Sequence, residues 1–212
     1  MASAAEQYHS WYYETEVWKR TSFLGVPCQK SVSDMWNYQE ILVDLKPSVV
    51  LEMGTLRGGS TLYFAEILQL IGTHSRILSV DIDQSVVDQR VRRHPRVELL
   101  QCDTTSPMVA SRFAELRLVY GGRAFCIVDS DHTKQHVLGE LMLLRSVTEP
   151  GDYVIVEDGN INGHPVLPDW GLGPYEALEE YLAQYPDDYT RDLERERKFG
   201  FTFAPKGFLI RV

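Results

Sequence analysis

Residues 125–136 read FCIVDSDHTKQH, an apolar run that stops abruptly at Asp129, Asp131 and His132. A short run without polar alternation is the mark of a strand buried on both faces, so these two acids and the imidazole emerge where the chain leaves the core. Working outward, similar runs occur at SVVLEM (48–53), RILSVD (76–81), RVELLQ (96–101) and DYVIVE (152–157). Between the runs lie STLYFAEILQLI, DQSVVDQRVRR, SPMVASRFAELRLVY and HTKQHVLGELMLLRSV, each with the length and period of a helix. Strand and helix in alternation predict an α/β fold, doubly wound, with a mostly parallel sheet, helices on both faces and right-handed crossovers. The end, FGFTFAPKGFLIRV, reads as two more strands joined by a Pro-Lys-Gly turn, which makes the sheet seven-stranded. Ligands of such sheets lie outside the carboxyl ends of the strands where strand order reverses, so FCIVDSDH and DYVIVEDGN deliver their acids to one rim.

At 212 residues, 44% hydrophobic and 24% charged, the chain suits a single domain over 1–212. Residues 1–46 form an N-terminal helical and lid segment with an aromatic cluster (Trp11, Tyr12, Tyr13, Trp18) and the helix DMWNYQEILVDLK. Residues 47–212 form the core, including a helix PYEALEEYLAQY opened by Pro174. A net charge of -9 argues against nucleic acid or an anionic membrane as partner, since both attract clustered Lys and Arg. The N-terminus lacks the basic start and apolar centre of a signal peptide, and no apolar stretch is long enough to span a bilayer. Cys28, Cys102 and Cys126 form no CxxC pair and read as buried thiols of a cytoplasmic protein.

The first strand runs into LEMGTLRGGS. A dinucleotide fingerprint needs glycine where the backbone meets the pyrophosphate, and Leu56 stands there, so a nicotinamide cofactor is disfavoured. What remains is an acid, Glu52, before a glycine-rich turn that opens a helix. With Asp81 ending the second strand and Asp103 following the third, E-x-G-T-x-x-G-G-S resembles the S-adenosylmethionine face of class I methyltransferases, whose core is Rossmann-like. More closely, TSFLGVPCQKSVSDMWNYQEIL, KPSVVLEMGTLRGGSTLYFAEIL, SVDID, HPRVELLQCDTTSP, VDSDHTKQHVLGEL, PGDYVIVEDGNINGHPV, GPYEALEEYL and FTFAPKGFLIRV resemble, in order, the cephalosporin hydroxylase family. Members of that family include S-adenosylmethionine-dependent O-methyltransferases of natural-product pathways. The resemblance implies that Glu52, Gly54, Thr55 and Ser60 hold the methionine part of the cofactor and Asp81 the ribose. Asp103, with Thr104, would lie beside adenine, and Trp36, Tyr38 and Gln39 would cover the pocket.

Asp129, Glu157 and Asp158 come from neighbouring strand ends, where carboxylates repel unless something positive lies between them. A hard divalent cation, magnesium above all, meets that need with oxygen ligands, and the resemblance points to the same acids. His132 and His136 have zinc-helix spacing but lack the intervening glutamate. The expected activity is metal-dependent methyl transfer to a hydroxyl of a small natural product or sugar. His132 is the favoured base because it titrates near neutrality, with Asp131 its rival or else a helix cap. A non-catalytic S-adenosylmethionine-binding partner of an oxidative tailoring enzyme is the alternative from another class, followed by a nicotinamide-dependent oxidoreductase. The stretch GNINGHPVLPDWGLGPYE suits a substrate loop, and the resemblance implies a homo-oligomer.

Overall fold

A computed structural model describes residues 3–212. The chain begins with α1 (Ala4–Glu14), a 3-10 turn (Val17–Arg20), a small hairpin of β1 (Ser22–Phe23) and β2 (Val26–Pro27), and α2 (Val32–Leu45). The core follows as β3 (Val49–Met53), α3 (Gly59–Ile71), β4 (Arg76–Asp81), α4 (Gln89–Arg92), β5 (Val97–Gln101), α5 (Pro107–Tyr120), β6 (Ala124–Val128), α6 (Lys134–Val147) and β7 (Tyr153–Val156). It closes with α7 (Pro174–Gln184), β8 (Tyr189–Arg191), α8 (Leu193–Arg197) and β9 (Phe208–Arg211). The seven-stranded sheet has the order β5-β4-β3-β6-β7-β9-β8, parallel except for β9 and β8. The order reverses between β3 and β6, and the carboxyl ends of these two strands define the cleft.

Alternation along the strands builds a core on each face of the sheet. Val49, Leu51 and Met53 pack with Phe113, Leu141 and Leu178 of α5, α6 and α7, while Val50, Phe125 and Ile127 pack with Ile41 and Phe64 of α2 and α3. Phe64 and Phe113 are fully enclosed, and truncating either to Ala would cost about 3–5 kcal/mol. Glu52 falls on the α2/α3 face by the same alternation, an acid placed where the pattern calls for an apolar residue.

Three elements differ from the sequence expectation. The helix expected over 83–93 shrinks to α4, because Asp83 and Asp88 accept backbone N–H bonds from Ser85 (2.8 Å) and Arg90 (2.9 Å) and hold 83–88 in turns. The stretch 201–204 is not a strand. Its rings pack on α1 instead, His9 to Phe201 at 4.7 Å and Tyr12 to Phe203 at 5.9 Å between centroids. The seventh strand is β8, three residues at the sheet edge, too short to show a period. Among the described residues no helix is long and apolar enough to cross a membrane.

The strap of residues 21–31, which contains the β1–β2 hairpin, lies across the start of α3. A Cβ on Gly59 would come within 2.2 Å of the Pro27 carbonyl oxygen, so only glycine lets the strap sit there. Ser31 ends the strap as the N-cap of α2, its hydroxyl accepting from Asp34 N at 3.4 Å.

Candidate active site

A cavity of about 830 Å3 opens at the β3/β6 reversal. One wall is the turn after β3 (Gly54, Thr55, Leu56, Arg57) with Asp81, Asp103 and Thr104, and the opposite wall carries Asp129, His132, Glu157 and Asp158. The two walls meet where Gly54 passes β6, for a Cβ there would lie 2.0 Å from the Asp129 carbonyl oxygen.

On the first wall, acids are satisfied by dipoles. Glu52 is buried behind the turn, accepting from Ser60 Oγ (2.5 Å), Ser79 Oγ (2.6 Å) and Thr61 Oγ1. Burial pushes its pKa up and the three hydroxyls pull it back. It is enclosed by these hydroxyls behind the cavity wall and braces the turn from within, whereas Thr55 and Ser60, expected beside it, do reach the cavity. Asp81 stands at the rim, its Oδ2 accepting from the backbone N–H groups of Thr55 (2.9 Å) and Leu56 (2.8 Å). Leu56 itself sits in the left-handed region at φ 48°, a conformation that the Asp81 clamp helps to hold. Asp103 accepts from Thr105 N (2.8 Å) and Oγ1 (2.6 Å) at the exposed end of the wall, its pKa lowered first by the Thr105 hydroxyl.

The second wall is balanced by charge. Lys30, 4% exposed at the end of the strap, donates to Asp129 Oδ2 at 2.5 Å and to Glu157 Oε1 at 3.1 Å. Burial opposes its ammonium, but Asp129 and Glu157 outweigh burial and hold its pKa well above the ordinary lysine value. Both acids are pushed up by burial, with Lys30 pulling the other way. Asp158 lies in the left-handed region at φ 53°, and its Oδ2 is 3.4 Å from His132 Nε2. Burial works against the His132 imidazolium, but Asp158 and Asp129 outweigh it and raise its pKa. Ligand atoms of Asp129, His132 and Asp158 lie within 4.8 Å of one another, the one such cluster among the described residues.

Asp129, Glu157 and Asp158, the acids expected at the metal, all line this wall. Glu157 shares its Oε1 between Lys30 and Tyr38, whose hydroxyl donates at 2.6 Å. His132 lies at ligand distance from Asp129 and Asp158. Tyr38 and Gln39, expected as a cover, lie on α2 away from the cavity: Tyr38 is fully buried beneath Glu157, and neither Gln39 nor the exposed Trp36 lines the opening. Asp131 turns back to accept from Thr133 N at 2.8 Å at the start of α6, and its pKa is lowered chiefly by Thr133. His136 faces the other wall through Thr104 Oγ1 at 2.8 Å and takes no part in the cluster.

Sequence reasoning missed Lys30, the cation between the acids, because its position depends on where the strap crosses the rim. It also missed that Tyr13, Trp18 and Phe203 gather at the cavity, with centroids 5.4 Å (Tyr13–Trp18) and 6.0 Å (Trp18–Phe203) apart, beside Ile161, Leu167 and Trp170 of the stretch expected as a substrate loop. The clustered aromatics of the first twenty residues were the signal for that wall.

The Rhamnosyl O-methyltransferase/CmcI family matches residues 15–212. A rhamnosyl O-methyltransferase of Mycobacterium tuberculosis (strain ATCC 25618 / H37Rv) is 53% identical over 209 residues, covering 99% of this chain and 85% of that protein. Its counterpart in Mycobacterium leprae (strain TN) is 50% identical over 209 residues, covering 99% and 91%. The solved structure of CmcI with Mg and SAM shares the fold at a TM-score of 0.73 and 20% identity, covering 92% of this chain and 77% of that one. The chain belongs to the Rhamnosyl O-methyltransferase/CmcI family and is an S-adenosylmethionine-dependent O-methyltransferase.

Proposed function

We propose that this enzyme methylates a hydroxyl of a rhamnosyl group or a closely related deoxysugar, with S-adenosylmethionine in the glycine-turn half of the cavity and a divalent cation at the acid wall. The observation that carries this reading is that one cavity holds both a methyltransferase turn and, facing it, a ligand cluster of two acids and an imidazole. The donor set fits a hard cation such as magnesium, with Asp129 and Asp158 holding it through oxygen and His132 adjoining. When bound, such an ion supplies Lewis-acid polarisation and a fixed orientation for the acceptor hydroxyl.

The remaining chemistry is read from the chain. Thr55 and Ser60 receive the methionine end of the cofactor, and Asp81, with Oδ2 committed to the turn and Oδ1 accepting from Asp83 N at 3.1 Å, offers the remaining lone pair of Oδ1 to the ribose hydroxyls. Asp103 and Thr104 lie toward the adenine. The acceptor enters from the Tyr13, Trp18 and Trp170 end, where aromatic faces suit the apolar C–H face of a pyranose. As the acceptor oxygen bonds to the methyl carbon and the carbon–sulfur bond breaks, the hydroxyl proton passes to the His132 imidazole. Asp158 and Asp129 then stabilise the imidazolium. Asp131 is committed to Thr133, which favours His132 of the two.

The test is methyl transfer from labelled cofactor to a rhamnoside by the purified protein, with magnesium or with chelator. Transfer to a sugar hydroxyl that falls sharply under chelation is expected. Equal transfer under chelation would remove the metal, and no preference for rhamnosides over other glycosides would remove the acceptor assignment.

A further inference from the structure

The acid wall contains a cation of its own. Lys30 reaches Asp129 and Glu157 from a strap whose path is fixed by the Gly59–Pro27 contact and by the cap on α2, and it is 4% exposed. Asp129 belongs at once to this ion pair and to the cluster at metal-ligand spacing. An ammonium 2.5 Å from Asp129 and a divalent ion on the same carboxylate would repel each other with little water between them.

We propose that Lys30 is a resident counter-cation which the metal displaces, so that loading is an exchange of cations: the ammonium bridges Asp129 and Glu157 before the ion arrives and gives up Asp129 to it. This rests on the metal reading above and adds to it a residue that weakens metal affinity while keeping the acid wall folded. Tyr38, bonded to the same Glu157 oxygen that Lys30 uses, keeps that acid in place when the ammonium withdraws. The cost of this arrangement is affinity: the ion must compete with a charge already in place.

Magnesium titration by calorimetry, on wild type, Lys30→Met and Lys30→Arg, tests the exchange. Lys30→Met should bind magnesium about tenfold more tightly or better, since the competing charge is gone, while Lys30→Arg stays near wild type. Lys30→Met should also melt lower than wild type without metal and regain more on saturation. Because Lys30→Met could fail to fold when metal-free, wild type carries a second readout, the side-chain ammonium resonance of Lys30 by NMR. That resonance should shift or vanish in step with magnesium occupancy. Wild type that binds magnesium with an unmoved Lys30 resonance, or a folded Lys30→Met that binds no more tightly, overturns the exchange and leaves the metal reading standing. Absence of binding in wild type and in Lys30→Met alike overturns both.

Discussion

The two walls of the cavity solve one problem, keeping carboxylates at strand ends, in opposite ways. Behind the β3–β4 wall, Glu52 is enclosed by three hydroxyls and Asp81 by backbone N–H groups, so each negative charge is met by fixed dipoles of its own neighbourhood. At the β6–β7 wall, Asp129 and Glu157 are met by a full positive charge borne on a distant segment. Dipoles built into the turn cannot leave, so under the proposed function that wall suits a neutral ribose and a methionine tail. A charge on a strap can be exchanged for another charge. The first wall is a mould and the second an ion-exchange site, and substitutions at the two should fail in different measurements.

The largest effect is expected where charge is removed from the exchangeable wall. Asp158→Asn keeps the side chain's size but takes away a ligand that Lys30 does not touch, so magnesium affinity and turnover should both fall by about a hundredfold or more. Cofactor affinity, read by calorimetry, should stay near wild type. Turnover preserved at low magnesium would show that the cation binds elsewhere and would dissolve the contrast between the walls.

Asp81→Ala is the matching substitution on the mould. It removes the bonds offered to the ribose and also leaves the N–H groups of Thr55 and Leu56 without their acceptor, which loosens a turn already holding Leu56 in the left-handed region. A loss of roughly 2 kcal/mol, about thirtyfold in S-adenosylmethionine affinity, is expected, with magnesium affinity unchanged. Unaltered cofactor affinity would mean that Asp81 serves the turn alone.

The mould was the more legible wall. The five apolar runs located the parallel strands to within a residue or two, and the motif E-x-G-T-x-x-G-G-S announced the turn because its residues follow one another in a single stretch. Even there a motif shows which residues belong together and not which way the side chain of Glu52 turns. The exchange wall depends on contacts across the whole chain. Lys30 meets Glu157 from 127 residues away and Tyr38 meets it from 119, separations at which periodicity and motif carry no information. The strand expected at 201–204 failed for the same reason: Phe201 and Phe203 alternate like strand residues but are claimed by α1.

The smallest effect, confined to acid pH, comes from a third titratable group that follows the mould's rule to its limit. His9 on α1 is 4% exposed, stacks near Phe201 and Phe203, and meets the side-chain amide of Asn160 at 2.9 Å, two residues beyond Asp158. Burial lowers its pKa to about 4 from 6.5. The folded protein therefore binds this proton less readily than the unfolded chain, and the stability due to neutral His9 is complete above about pH 6.5 and lost progressively as pH falls toward 4. Between pH 7 and pH 5 the loss should be about 2 kcal/mol, a few degrees in melting temperature for a chain of this size. His9→Gln, whose amide can still accept from Asn160, should flatten that slope while leaving turnover at pH 7 near wild type. A wild-type melting temperature equally steep in His9→Gln would show that the acid sensitivity arises at the charged wall instead. The expected result completes the contrast: a group satisfied by dipoles fails when it gains a charge, and a group satisfied by a counter-charge fails when it loses one.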